Sequence, residues 1–457
     1  MKFTICDLRF AACLRKHLAV LITIILFAAS PLPAQTILFT DAIVHTVTRG
    51  VLTNGTVLVQ SNKIAGVYQF TNGEAMHLVL PSDTVFVNVK GQHLYPGLIA
   101  ADSALGLTEL DAVRATQDST EVGDFTPDVE AWIAVNPDSE LLPVARANGL
   151  AWFEAAPEGN IVAGQSALLA LDGWTWEQML VKQPAALHVY WPDLALNTAP
   201  KEHAADPAKW KSLDDQDSER RKKIRDLTDF FADARAYAQA QDAGATNAAI
   251  PREKIPAWEA MRPYLRGELP VVIHADETRQ IKSAAVWATT NHLKAVIAGG
   301  RDAWRVAALL ATNQIPVIYE HVFSPPTHDT DLYDVAFAAP EVLRQAGVTV
   351  VFATGRGGFG ATMVRNLPYH AAQAVAFGLP ETEALKAITL SPAQIFGVAD
   401  RLGSLEAGKE ATLFICDGNI LDLRANVTRF WIAGKEVSLA SRHTRLYEKY
   451  KNRPNLK

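Results

Sequence analysis

Apolar positions along this chain fall into two kinds of run. From Ile37 to about Val89, β-rich stretches alternate with turns, as in "TILFTDAIVHTV", "NGTVLVQSNKIAGVY" and "TVFVNVKG". This pattern predicts a small antiparallel sheet. The end of the chain reads the same way in "GSLEAGKEATLFICDG" and "NVTRFWIAGKEV". Between these ends, short continuous apolar runs recur: "LPVVIHAD", "LKAVIAGG", "QIPVIYEH" and "GVTVVFATG". Such runs are buried on both faces and predict parallel strands. Helical periodicity lies between them, in "RDAWRVAALLATN" and "PETEALKAITLSPAQIFG".

The architecture this predicts is α/β, a TIM-like (β/α)8 barrel with a β-sandwich domain built from both chain ends. The barrel takes residues 94–397, the sandwich residues 35–93 and 398–440, and a C-terminal tail residues 441–457. An open doubly wound sheet is the alternative, but no dinucleotide fingerprint follows any of the strands. The stretch at about 200–260 is polar and charged. Within it Ile224, Leu227, Phe231, Ala234 and Ala238 recur at steps of three and four, which predicts one amphipathic helix inserted on the barrel surface. Its charge run "SERRKK" reads as a solvated face.

Composition changes the picture little. The chain has 457 residues, 49% hydrophobic and 20% charged, enough for a large core. A net charge of −6 and a pI near 6.1 argue against nucleic acid as a partner.

The N-terminus adds a location. Lys2, Arg9, Arg15 and Lys16 precede the apolar run "LAVLITIILFAA", and "SPLPAQ" follows with small and turn residues. A run of roughly a dozen residues is shorter than the ~18 needed to span a bilayer, so residues 1–34 read as a cleaved signal peptide. An uncleaved anchor is the alternative. The protein is expected to be exported, periplasmic or secreted, with no stable membrane span after signal removal. Cys6 and Cys13 fall in that segment and leave Cys416 as the only thiol of the mature chain. No intramolecular disulfide or thiolate zinc cluster can then form.

Candidate chemistry lies at the C-terminal ends of the barrel strands, where such folds place their active sites. The first strand supplies Asp102, "AALHVYW" His188, "VVIHADE" His274 with Asp276 and Glu277, "VIYEH" Glu320 and His321, and "VVFATGRGG" Arg356. Imidazoles and carboxylates gathered at strand ends suit a zinc-type site with an open water position. Asp102, His188, His274 and His321 are the candidate metal ligands, and Asp276, Glu277 and Glu320 the candidate general bases. Each histidine has a plainer reading, as a residue that hydrogen-bonds a loop. Arg356 and Gly357, in the glycine-rich "TGRGGFG", are candidate ligand or anion contacts. Trp174 and Trp176 in "LDGWTWEQM" form a candidate aromatic platform.

These residues resemble a known family. "LYPGLIAADSALGL" is similar to the first barrel strand of the amidohydrolase superfamily, in the branch related to imidazolonepropionase. "ALKAITLSPAQIFGVADRLGSLEAGKEATLFICDG" matches its closing segment, and "ILFTDAIVHTV" with "GTVLVQSNKIAGV" its opening strands. The resemblance implies hydrolysis with water activated on one or two divalent metals. In the family these are held by an HxH pair, a histidine after each of strands five and six, and an aspartate after strand eight that shuttles the proton. Here His274 matches the strand-five histidine. The HxH positions hold Asp102 and Ala104, Gly299 and Gly300 end strand six, and Thr354 to Arg356 stand where the aspartate belongs.

Alanine and glycine offer no ligand atom and arginine is no base near neutral pH, so a binuclear site of the family's usual kind is not expected. The reading is an exported, divergent amidohydrolase cleaving a carbon–nitrogen bond other than a peptide bond, such as a cyclic amide or a small acyl-amino compound. Its cofactor would be one divalent metal, zinc foremost, or none. The alternative is an inactive protein of this fold that binds a small molecule at the barrel mouth. Either reading expects a small-molecule partner, and a homo-oligomer is open.

Overall fold

A computed structural model describes residues 35–69, 78–204, 206–245, 253–451 and 453–454. The signal-type segment 1–34 lies outside the described residues.

The chain opens with β1 (Thr36–His45), β2 (Val51–Gln60), β3 (Lys63–Gln69), β4 (Val85–Asn88) and β5 (His93–Pro96). The barrel strands follow: β6 (Leu98–Ser103), β7 (Leu150–Ala155), β8 (Val162–Ala170), β9 (Leu180–Tyr190), β10 (Val271–Ala275), β11 (Ala295–Gly299), β12 (Val317–Tyr319) and β13 (Val350–Phe352). The chain then returns to the first sheet with β14 (Leu413–Cys416), β15 (Val427–Ile432) and β16 (Lys435–Val437).

That first sheet runs β16-β15-β14-β5-β1-β2-β3, with β4 also paired to β1. It is mixed rather than antiparallel, because β1 pairs parallel with both β4 and β5. The sheet folds over its own core. Phe39 on β1 meets Trp431 on β15 edge-to-face at 4.8 Å, although two strands lie between theirs. Val44, Val57, Ile64, Leu94 and Leu413 fill the same layer. The boundary expected at 93/94 falls inside β5, which pairs with β14, so the barrel begins at β6.

The second sheet runs β6 to β13 in sequence order and forms a nearly closed barrel, with Cα atoms of β13 and β6 within 8 Å. The four apolar runs are β10 to β13, all parallel. One strand departs from the expected pattern. β8 pairs antiparallel with both β7 and β9, with Val162 opposite Val189 at one end and Leu169 opposite Leu180 at the other. The segment after β8 therefore emerges at the end of the barrel opposite the C-terminal ends of the parallel strands.

The insertion is helical, as Leu213–Ala245 followed by Pro256–Leu265. Leu227, Phe231, Ala234 and Ala238 are buried, and Ile224 packs against the barrel core. Phe231 meets Trp287 of helix Thr278–Thr290 edge-to-face at 4.8 Å, so the helix is part of the wall and not an appendage. Among the described residues, no helix is long and apolar enough to cross a membrane.

Candidate active site

Three strand ends bring Asp102, His188 and His274 together. Asp102 closes β6, and His188 and His274 stand near the ends of the parallel neighbours β9 and β10. One ligand atom from each lies within 4.8 Å of the other two, and all three residues are buried. His188 Nδ1 lies 3.0 Å from His274 Nε2 and 3.9 Å from Asp102 Oδ1. His274 Nδ1 lies 3.5 Å from Asp102 Oδ2. Asp102 adopts φ +48°, a left-handed conformation that costs a non-glycine residue about 1–2 kcal/mol.

Carboxylates and one guanidinium surround this group. The Arg356 guanidinium Nε lies 3.5 Å from Glu320 Oε2 and its carbon 5.4 Å from the centre of the Tyr190 ring. Burial pushes the Asp102 carboxyl up to about 6, against a hydrogen bond with the Glu320 carboxyl and the charge of Arg356. Burial, with the neighbouring Asp102, pushes Glu320 well above the usual carboxylate range. Burial, then Arg356 and His188, hold His274 well below its ordinary value and keep its ring neutral. Burial works against the Arg356 charge, but Glu320 and Asp102 more than offset it.

The donor set fits a divalent cation. His274 Nδ1 is buried without a hydrogen-bond partner, and the buried Asp102 and Glu320 carboxyls find no donor there but each other. A buried polar atom left unpaired costs about 1–3 kcal/mol, and a cation between Asp102 and His274 would satisfy both. Two imidazoles and a carboxylate are the ligands that zinc-type ions take when a position stays open for substrate. Ala104 and Gly299 add no donor.

Other candidates are placed differently. His321 lies outside the cluster of Asp102, His188 and His274 and pairs elsewhere: Nε2 lies 2.6 Å from Asp276 Oδ1 and Nδ1 3.0 Å from Ser324 Oγ. Asp276 is committed to that pair, and although burial raises its carboxyl, the bond from His321 brings it below the ordinary value. Glu277 is exposed at the N-cap of helix Thr278–Thr290, removed from the buried group. Gly357 donates its N–H to Glu158 Oε1 at 2.6 Å, so the anion-holding capacity of the glycine loop is met by the chain's own carboxylate. Trp174 and Trp176 follow β8 and therefore sit at the far end of the barrel. There Trp174 is 87% exposed and Trp176 packs against the core.

Four neighbours were absent from the sequence-based candidates. Tyr190 is the register partner of His274, and their rings stack at 4.0 Å with 5° between planes. Its position two residues beyond His188, on the same strand face, was a usable signal. Glu154 on β7 is fully buried, accepts from Ser166 and the Asp102 backbone N–H, and lies 3.1 Å from His188 Nε2. An acidic residue inside the apolar run "LAWFEAA" was its only trace. Ser166 and Glu158 left none.

The sequence profile of the amidohydrolase family matches residues 182–437. Amidohydrolase tasK of Hapsidospora irregularis is 22% identical over 396 residues, 78% of this chain and 37% of that protein. Imidazolonepropionase of Mesorhizobium japonicum is 30% identical over 154 residues, 33% of this chain and 35% of that protein. The chain spans about a third of the length of these curated relatives. Among solved structures, an amidohydrolase from Thermotoga maritima MSB8 is similar with a TM-score of 0.74 and 25% identity, covering 88% of this chain and 99% of that one. A prolidase solved with N-methylphosphonate-L-proline has a TM-score of 0.52 at 16% identity, covering 88% of this chain and 100% of that one, a likeness of fold alone. With the profile matched over more than half of its length, the chain belongs to the amidohydrolase family.

Proposed function

We propose that this protein is an exported hydrolase of a carbon–nitrogen bond other than a peptide bond, in a cyclic amide or a small acyl-amino compound. It works with a single divalent cation, zinc foremost, held by Asp102, His188 and His274. The observation that carries the reading is the convergence of buried Asp102, His188 and His274, with one ligand atom of each within 4.8 Å of the others and His274 Nδ1 left without a partner. A family scaffold that had lost its chemistry without replacing it has no reason to keep that costly arrangement. A cation bound there supplies Lewis acidity to a reacting carbonyl. Glu320, buried at the end of β12 beside Asp102 and Arg356, takes a proton from the attacking water and returns it to the leaving nitrogen. Arg356, held by Glu320, donates to the oxygen on which charge develops. Tyr190 stacks on His274 and fixes its ring plane.

Metal analysis of protein purified without chelators tests this, together with a turnover panel of cyclic amides and acyl-amino acids. The expected result is about one ion per chain, lost along with activity in a folded His274→Ala variant. A folded, ion-free wild type that is stabilised by a panel compound but does not consume it would overturn the proposal in favour of a small-molecule binder.

A further inference from the structure

We infer that Glu154 is a positioning residue that keeps the proton of His188 on Nε2 and so gives the buried histidine pair a single direction of hydrogen bonding. Glu154 is fully buried on β7, and three donors converge on it. Ser166 Oγ donates to Oε1 at 2.6 Å, the Asp102 backbone N–H donates to Oε2 at 2.9 Å, and His188 Nε2 lies 3.1 Å from Oε1. A carboxylate accepts at both oxygens, whereas an amide accepts at one and presents N–H groups at the other. Glu154 therefore matches all three donors, and Gln cannot.

Direction then propagates along the pair. With Nε2–H pointing at Glu154, His188 has a bare lone pair on Nδ1, and this faces His274 Nε2 at 3.0 Å. His274 must donate through Nε2, which leaves its own Nδ1 bare. That atom is the one the structure leaves buried without a partner, opposite Asp102 Oδ2 at 3.5 Å. The opposite direction would set the His188 Nε2 lone pair against the Glu154 carboxylate at 3.1 Å, two acceptors face to face. The chain of groups from Ser166 through Glu154, His188 and His274 thus ends in one lone pair, on His274 Nδ1, opposite the Asp102 carboxylate, and His188 Nδ1 would take up a cation by giving up its bond to His274. The consequence for cation binding rests on the function proposed above, since a ligating imidazole is oriented by the partner of its other nitrogen. The tautomer itself does not.

The test uses full-length mature protein, freed of metal and labelled with ¹⁵N-histidine, in long-range ¹H–¹⁵N correlation spectra. His188 is assigned by the signal lost in His188→Gln. The expected spectrum places the His188 proton on Nε2 in the wild type and in Glu154→Asp, and shows mixed or Nδ1-protonated His188 in Glu154→Leu, which offers no acceptor. Zinc titration by calorimetry is expected to show a roughly 10–100-fold weaker affinity for Glu154→Leu, partly recovered in Glu154→Asp. A wild-type His188 protonated on Nδ1, or a folded Glu154→Leu with the wild-type tautomer, would overturn the inference. Should Glu154→Leu fail to fold, the wild-type spectrum alone decides. A wild type that takes up no zinc removes the proposed function, and the tautomer spectrum then decides the role of Glu154 by itself.

Discussion

A β-carbon placed on Gly299 would lie 2.5 Å from Oδ1 of Asp276. Gly299 ends β11, where the family carries its strand-six histidine, and it has φ +85°. The carboxylate of Asp276 occupies the space that a side chain at position 299 would need.

Restoring the histidine should therefore fail. Gly299→His is expected to destabilise the fold by roughly 2–4 kcal/mol, from the left-handed backbone and the clash with Asp276 together. It should add no second ion. Thermal melting and metal stoichiometry check both, and a stable variant holding two ions would refute the account.

Asp102 stands at the centre of the site, where burial outweighs the hydrogen bond of Glu320 and the charge of Arg356. Its folded carboxyl titrates at about 6 against an ordinary 3.8. The folded state then binds more protons than the unfolded one across that window. The stability this contributes is complete below 3.8 and is lost as pH rises through about 6, by about 3 kcal/mol at most. Asp102→Asn, which also tolerates φ +48°, should flatten this slope, stabilise the ion-free protein at pH 7 and weaken zinc binding. Denaturant midpoints at pH 4, 5, 6 and 7 measure it.

The opposite sign is expected at the junction of sandwich and barrel. His45 is buried, stacks on Tyr95 at 4.0 Å and lies 2.9 Å from His93 Nδ1. Burial, then the nearby His93, lower it from 6.5 to about 3. Its contribution is complete above 6.5 and is lost as pH falls toward 3, about 2 kcal/mol by pH 5. His45→Gln should remove that acid sensitivity, and an unchanged profile between pH 7 and 5 would count against it.

Phe231 tests whether the charged insertion is structural. It is fully buried and meets Trp287 across the barrel wall. Phe231→Ala is expected to cost about 3–5 kcal/mol in urea unfolding. A loss below about 1 kcal/mol would mark the insertion as an independent unit.

Much of this protein was legible in its sequence, because the local pattern states which residues are buried and where strands end. Continuous apolar runs marked β10 to β13, and the residues at or near strand ends included Asp102, His188 and His274. The i, i+4, i+7 spacing of Leu227, Phe231 and Ala234 marked the buried face of the insertion.

Strand direction and pairing were decided only in three dimensions, since a run of apolar residues reads the same whichever way its strand points. The antiparallel sense of β8 sent Trp174 and Trp176 to the far end of the barrel, and its ladder to β7 and β9 put Ser166 within reach of Glu154. Which nitrogen of each histidine faces which oxygen is likewise a matter of long-range contact. Residues 154, 188 and 274 are far apart along the chain, and nothing local tells one side chain what the others will offer it.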